Sequence, residues 1–155
     1  MKYIGATEDI IAATEGKMGV HFPEGLKKVW RISNGLELAG GWRLYPVYDP
    51  KEPGKTCNDI RYENTKGRWD YMDASFISIA DGDTGNRLVL KNINGILEET
   101  IYLWNHETNK TKKWGKDFAY LLTKANARVT NIEKQIQRSM KERPYAQQQS
   151  RADRD

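Results

Sequence analysis

The stretch Ser75-Phe76-Ile77-Ser78-Ile79-Ala80-Asp81-Gly82-Asp83-Thr84-Gly85-Asn86-Arg87-Leu88-Val89-Leu90-Lys91 sets two apolar runs on either side of six turn formers. Runs of this length bounded by Gly, Asp and Asn pair as an antiparallel hairpin, so the centre of the chain reads as sheet. Downstream, Asn92 to Gly95 is a second turn, and Ile96-Leu97 through Ile101-Tyr102-Leu103-Trp104 returns as a strand with Thr100, Tyr102 and Trp104 facing one way. Asn105-His106-Glu107-Thr108-Asn109 closes the meander. Upstream, Trp42 to Tyr48 alternates as a strand, with Trp42 and Leu44 on one face and Arg43 and Tyr45 on the other. Pro46 has no N–H to donate and places that strand near an edge.

Helical patterns flank this sheet. Thr7 is a good N-cap, followed by Glu8 and Asp9, and Ile10, Ile11, Thr14 and Met18 recur at helical spacing up to Gly19. Pro23 opens a second helix with Leu26, Val29, Trp30 and Ser33 on one face, stopped by Asn34-Gly35. Thr56 to Lys66, around Ile60 and Glu63-Asn64, reads as a short helix ended by Gly67. Asp117 caps a last helix striped by Phe118, Leu121, Leu122, Ala125, Val129, Ile132, Ile136 and Met140, and Pro144 ends it. The capping box Thr130-x-x-Glu133 leaves two readings open, a helix broken near Asn126 or one that runs through. The order, two helices, an antiparallel meander and a helix, is that of the α+β class.

The 155 residues suffice for one domain with one core. We expect the domain over residues 1–122, a helical extension over 123–143 and a disordered tail over 144–155. Met1 to Leu122 holds 17 basic and 17 acidic residues, so by this division the whole excess of +4 falls in Thr123 to Asp155. That segment has one aromatic, Tyr145, and acids among its bases, a poor match to a nucleic-acid stripe, so no nucleic acid is required as a partner. A lone Cys57 forms no internal disulfide and supplies no Cys pair for zinc. The start lacks a signal-peptide core and no stretch approaches the ~20 apolar residues of a membrane span, so a cytoplasmic chain without membrane contact is expected.

The chemistry of an enzyme needs a nucleophile with a base, paired carboxylates or a metal cluster. Cys57 with His106 or His21 has no flanking residues of a cysteine hydrolase, and a buried, inert Cys57 is the expectation. Asp81-x-Asp83 departs from a calcium loop at Gly85, Asn86 and Asn92. Gly82 and Gly85 do not match a phosphate loop. Glu98 and Glu99, adjacent on a strand, point to opposite faces and cannot flank one glycosidic bond. No catalytic residue, metal or cofactor is therefore expected. Large rings in or beside loops, Trp42, Tyr45, Tyr48, Trp69 and Tyr71, suit an interface instead.

Several segments resemble the SUKH superfamily, the Smi/Knr-like domain, in order and spacing. Glu15 to Gly35, with Val20-His21-Phe22-Pro23 inside it and Asn34-Gly35 at its end, looks like the family's opening. Asn58 to Asn64 is similar to its middle helix, Phe76 to Leu90 to its central hairpin, Ile101 to Glu107 to its last recognised strand and turn, and Asp117 to Leu122 to its final helix. The departures are Phe22 before the proline, Gly25, and Asn86 where many members carry Asp. The resemblance implies a curved antiparallel sheet of about four to six strands flanked by N-terminal helices and a C-terminal helix, without enzymatic activity and used to bind proteins. Many bacterial members look like immunity proteins that neutralise secreted polymorphic toxins, often nucleases, and fungal relatives regulate cell-wall synthesis.

A surface for a basic toxin combines aromatic anchors with acidic groups, which selects Trp42, Tyr45, Tyr48, Trp69, Asp70, Asp73, Asp81 and Asp83. A monomer bound to one cognate toxin domain is the expected assembly. A regulatory scaffold acting through the stripe Val129 to Met140 is the alternative, and a hydrolase using His106 with Cys57 or Asp83 a distant third.

Overall fold

The computed structural model describes residues 4–141 of the chain. In order it contains α1 (Glu8–Met18), α2 (Glu24–Ile32), β1 (Arg43–Leu44), α3 (Ile60–Glu63), β2 (Phe76–Asp81), β3 (Arg87–Ile93), β4 (Ile96–Leu97), β5 (Tyr102–Trp104), β6 (Thr111–Lys113) and α4 (Phe118–Lys141). The α+β order and the antiparallel sheet are as the sequence indicates. The sheet runs β1-β2-β3-β5-β6, with β4 paired to the far end of β3.

The central hairpin joins Phe76 to Lys91 and Asp81 to Arg87, with a bulge between Ser78 and Ala80. The side chain of Asn64 fills the break: its Oδ1 accepts the Ser78 N–H at 2.8 Å and its Nδ2 donates to the Ser78 carbonyl at 2.8 Å. Asn34 does the same for Val47, accepting its N–H at 2.9 Å and donating to its carbonyl at 3.0 Å. Two asparagines thus act as extra strand backbone where the ladder stops, and each leaves the buried groups of its neighbour satisfied.

Register divides the sheet into two faces. Ile77, Ile79, Leu88 and Leu90 join the main core with Leu26, Val29 and Trp30 of α2 and Phe118, Leu121 and Ala125 of α4. Gly25 is required there, since a Cβ would sit 2.6 Å from that of Phe118. On the other face Val89 and Trp104 pack with Met72 in a second, smaller cluster, covered by Trp69, Phe76 and Tyr102. Residues 64–75 cross this second face and roof it.

Several expectations change. The strand over 42–48 shrinks to Arg43–Leu44: the Tyr45 N–H still reaches the Ile79 carbonyl of β2, but Pro46 has no N–H to donate and Val47 pairs with the Asn34 side chain instead. The return strand over 96–104 splits into β4 and β5, and Glu98 and Glu99 lie exposed in the break, not on a strand. β6 was not anticipated, since Thr111-Lys112-Lys113 carries no apolar alternation; it exists because β5 offers an open edge. Thr7 makes no side-chain cap. α4 runs unbroken through Thr130, whose hydroxyl donates to the Asn126 carbonyl at 3.0 Å in place of capping a new helix. Pro144, Tyr145 and the tail over 144–155 lie outside the described residues.

Candidate functional site

Asp81 to Asn86 closes the central hairpin, with the Gly82 N–H on the Asn86 carbonyl at 2.9 Å and Gly85 at φ +93°. Its two glycines are gripped from opposite sides. A Cβ on Gly82 would meet the Trp42 ring at 3.2 Å, and one on Gly85 would meet His106 at 3.3 Å and Trp69 at 3.4 Å. Small residues at both positions let rings close on the turn.

On the small-cluster side, Trp69 stacks on His106 with centroids 5.2 Å apart and lies 6.0 Å from Trp104 and 5.8 Å from Tyr71. Tyr71 donates its hydroxyl to the His106 carbonyl and still shows 48% of its surface. The Asn86 amide oxygen accepts both the His106 N–H at 3.1 Å and His106 Nδ1 at 2.8 Å, which places the ring proton on Nδ1. Asp70 and Glu107 are exposed beside these rings, and residues 69–83 contain four aspartates and no basic residue.

On the helix side, Trp42 meets Trp114 at 6.3 Å and Trp114 meets Tyr120 at 6.0 Å, all three at the rim of the main core. Lys116 lies over both Trp114 and Tyr120, and Lys124 over Tyr120. Asp81, Asp83 and Glu37 line a recess with Trp42 and Arg43, whose guanidinium pairs with Asp81 at 3.2 Å.

Between the two sides lies a charged knot under the hairpin. Arg87 is buried and donates to the carbonyls of Glu63 at 2.9 Å and Gly67 at 2.6 Å, while the Glu63 carboxylate sits 3.8 Å from Arg87 and 3.4 Å from Arg43. Burial raises the Glu63 pKa above the ordinary carboxylate value, and the Arg87 charge opposes it. The Tyr45 ring lies between these guanidiniums, 5.3 Å from Arg43 and 6.0 Å from Arg87. Its hydroxyl is pushed far up by burial.

The eight candidate residues therefore separate. Trp42, Asp81, Asp83, Trp69 and Asp70 gather around the hairpin end. Tyr45 is corrected: it is fully buried and supports the knot, because the bulged ladder turns it inward beside Leu44. Tyr48 is exposed but lies elsewhere, in a groove of about 470 Å³ with Ile10, Lys17 and Arg61. Asp73 sits at the start of β2, where its Oδ1 accepts the Ser75 N–H at 2.8 Å and hydroxyl at 2.7 Å; these bonds lower its pKa. Trp104 and Arg87 were not among the candidates; Tyr71 was named among the loop rings but left out of the set of eight, and His106 was weighed only as a hydrolase residue. Cys57 is also corrected: it is exposed, against the Gly54 carbonyl, and it is no partner of His106.

Among the described residues no group of three or more His, Cys, Asp or Glu is placed to hold a metal, and no helix is long and apolar enough to cross a membrane. No curated protein matches the chain. The profile described as SMI1 / KNR4 family (SUKH-1) matches residues 5–124, which takes in every element from α1 to the first turns of α4. The chain belongs to the SMI1 / KNR4 (SUKH-1) family.

Proposed function

We propose that this chain is a non-enzymatic, protein-binding domain of the immunity type, which neutralises a cognate secreted toxin by meeting it with the acidic, aromatic side of the hairpin end. The observation that carries this reading is the cluster Trp69, Tyr71, Trp104 and His106, with Tyr71 half exposed beside Asp70 and Glu107. Rings braced against one another lose little freedom on binding, so they serve as anchors, and the surrounding carboxylates steer a basic partner such as a nuclease domain. Inhibition by covering a substrate groove asks no chemistry of the inhibitor. Family membership supports protein binding in general, and the toxin reading rests on the acidic, aromatic face.

The test is capture of a toxin encoded next to this chain, followed by titration. Trp69→Ala and Tyr71→Ala should each weaken the complex by about tenfold or more, the range of an interface anchor. Asp70→Asn with Asp83→Asn should slow association and flatten its salt dependence. Full neutralisation by all of these variants would overturn the assignment of this face.

A second reading has its own observation. The stripe that is buried at Phe118, Leu121 and Ala125 continues at Val129, Ile132, Ile136 and Met140, where Ile136 and Met140 are exposed. A regulatory scaffold would use that extension. Removing residues 128–155 separates the two: toxin neutralisation survives the cut, whereas scaffolding does not.

A further inference from the structure

We propose that the lysine-rich edge of the sheet, together with the outward face of α4, binds a single strand of nucleic acid through its phosphates. Dividing the chain at Leu122 conceals how its charge is distributed in the fold. Residues 4–109 hold 12 basic and 16 acidic residues, while residues 110–141 hold 9 basic and 2 acidic. The difference, −4 against +7, is carried by one continuous piece of structure: the turn into β6, the edge strand itself and α4.

The geometry gathers these charges. β6 is the last strand of the sheet, and all three of its residues are exposed. Lys112 and Lys113 flank its open edge. Lys116 and Lys124 sit over the half-exposed rings of Trp114 and Tyr120 at 4.7–5.4 Å. Spacing of three and four along α4 then continues the row from Tyr120 and Lys124 through Asn131 and Lys134 to Arg138, all but the half-exposed Tyr120 fully exposed. From Tyr120 to Arg138 of α4 this makes a stripe about 27 Å long. None of Lys110, Lys112, Lys113, Lys116, Lys124, Lys134 or Arg138 forms an ion pair among the described residues. The two acids fall outside the row: Asp117 caps α4 through the Tyr120 N–H, and Glu133 lies on the flank of the apolar stripe.

Lysine on an edge strand also blocks strand addition, and one or two such residues suffice for that. Edge protection does not call for Lys116 and Lys124 poised over rings, nor for a row of cations extending along a helix. Unpaired cations interleaved with partly open aromatic rings are what a sequence-tolerant single-strand site combines: charge for the phosphates and π-faces for the bases.

The experiment is fluorescence anisotropy of a labelled oligothymidylate of about 20 nucleotides with the full chain, from about 50 to 200 mM NaCl. Saturable binding is expected at the low-salt end. Lys112→Gln, Lys116→Gln and Lys124→Gln together should weaken it at least tenfold and reduce the log–log salt slope by about 2, three phosphate contacts at roughly 0.7 each. Tyr120→Leu should weaken binding without changing the slope, which separates base contact from charge. All these positions are exposed or half exposed, and circular dichroism checks that the variants fold. Four results would overturn the proposal: no saturation at low salt, a triple variant that binds as the parent does, a duplex bound more tightly than the single strand, or displacement by polyglutamate as effective per charge as by unlabelled oligonucleotide. Trp69→Ala with Asp70→Asn should leave the oligonucleotide signal unchanged, so failure here and failure of the toxin-binding face are told apart.

Discussion

The two sides of the hairpin end are built from the same materials and differ in how deeply they are set. On one, Trp69 and Tyr71 rest on the fully buried Trp104, His106 stacks on Trp69, and the surrounding charge is acidic. On the other, Trp42, Trp114 and Tyr120 form a half-exposed row, with lysines lying over the last two rings. The first group is held by a core of its own; the second hangs on the rim of the main core. An aromatic patch with a private core can present a ring rigidly, whereas a rim patch leaves its rings open to a lysine or a ligand.

The largest effect expected from this difference is on stability. Trp104→Ala removes the floor of the small cluster and should cost about 3–5 kcal/mol. Trp114→Ala, at the half-exposed rim, should cost roughly 1–2 kcal/mol. Urea titration of both variants measures the contrast, and equal losses would mean that the two sides are supported alike.

Arg87 comes next. It ties residues 63–67 to the hairpin through two carbonyls and faces the Glu63 carboxylate, so Arg87→Met leaves those acceptors and a buried acid unanswered. A loss of about 2–3 kcal/mol is expected, less than for a fully isolated pair because Arg43 still reaches Glu63. The same variant should loosen the Trp69 side while leaving the Trp114 side in place, visible as a change in Trp69 emission against a Trp69→Phe control.

Glu63 supplies a pH dependence. Its pKa is raised in the folded state, so the folded chain holds that proton more tightly than the unfolded one. Lowering the pH from above the folded value toward the ordinary carboxylate value therefore adds stability through this group. Glu63→Gln cannot gain it, and the Tm deficit of the variant should widen as the pH falls from 7 toward 5. A deficit that narrows over that range would show that the ion pairs with Arg43 and Arg87 outweigh burial.

How much of this was legible in the chain follows from the range of each signal. The hairpin, α1, α2 and α4 were readable because apolar periodicity and turn formers act locally, and their bounds fall close to the pattern. The gathering of Trp42, Asp81 and Asp83 at the hairpin end was readable in part, since they are close in sequence to the turns that carry them. Tyr45 was misplaced because strict alternation sets it opposite Leu44, whereas the ladder is irregular beside it and both side chains enter the main core. Arg87 and Glu63 read as surface charges on any local scale, and their burial is visible once α3 is laid on the hairpin. The basic edge was hidden because β6 has no propensity of its own, and a division at Leu122 set its lysines among distant acids.

Asp73 gives the smallest effect and tests where the acidic side ends. It reads as a surface acid like Asp70, yet its carboxylate is engaged by the Ser75 N–H and hydroxyl at the opposite end of β2 from the hairpin turn. Those bonds depress its pKa, so its contribution to stability is present above the ordinary carboxylate pKa and is lost as the pH falls through the lower folded value. Asp73→Asn keeps an acceptor oxygen but not the charge, so parent and variant should differ slightly at neutral pH and converge in Tm below about pH 4. Toxin affinity should not change. If it drops as it does for Asp70→Asn, the acidic face extends along the whole of β2, and the small cluster, rather than the hairpin end alone, is the surface that the partner covers.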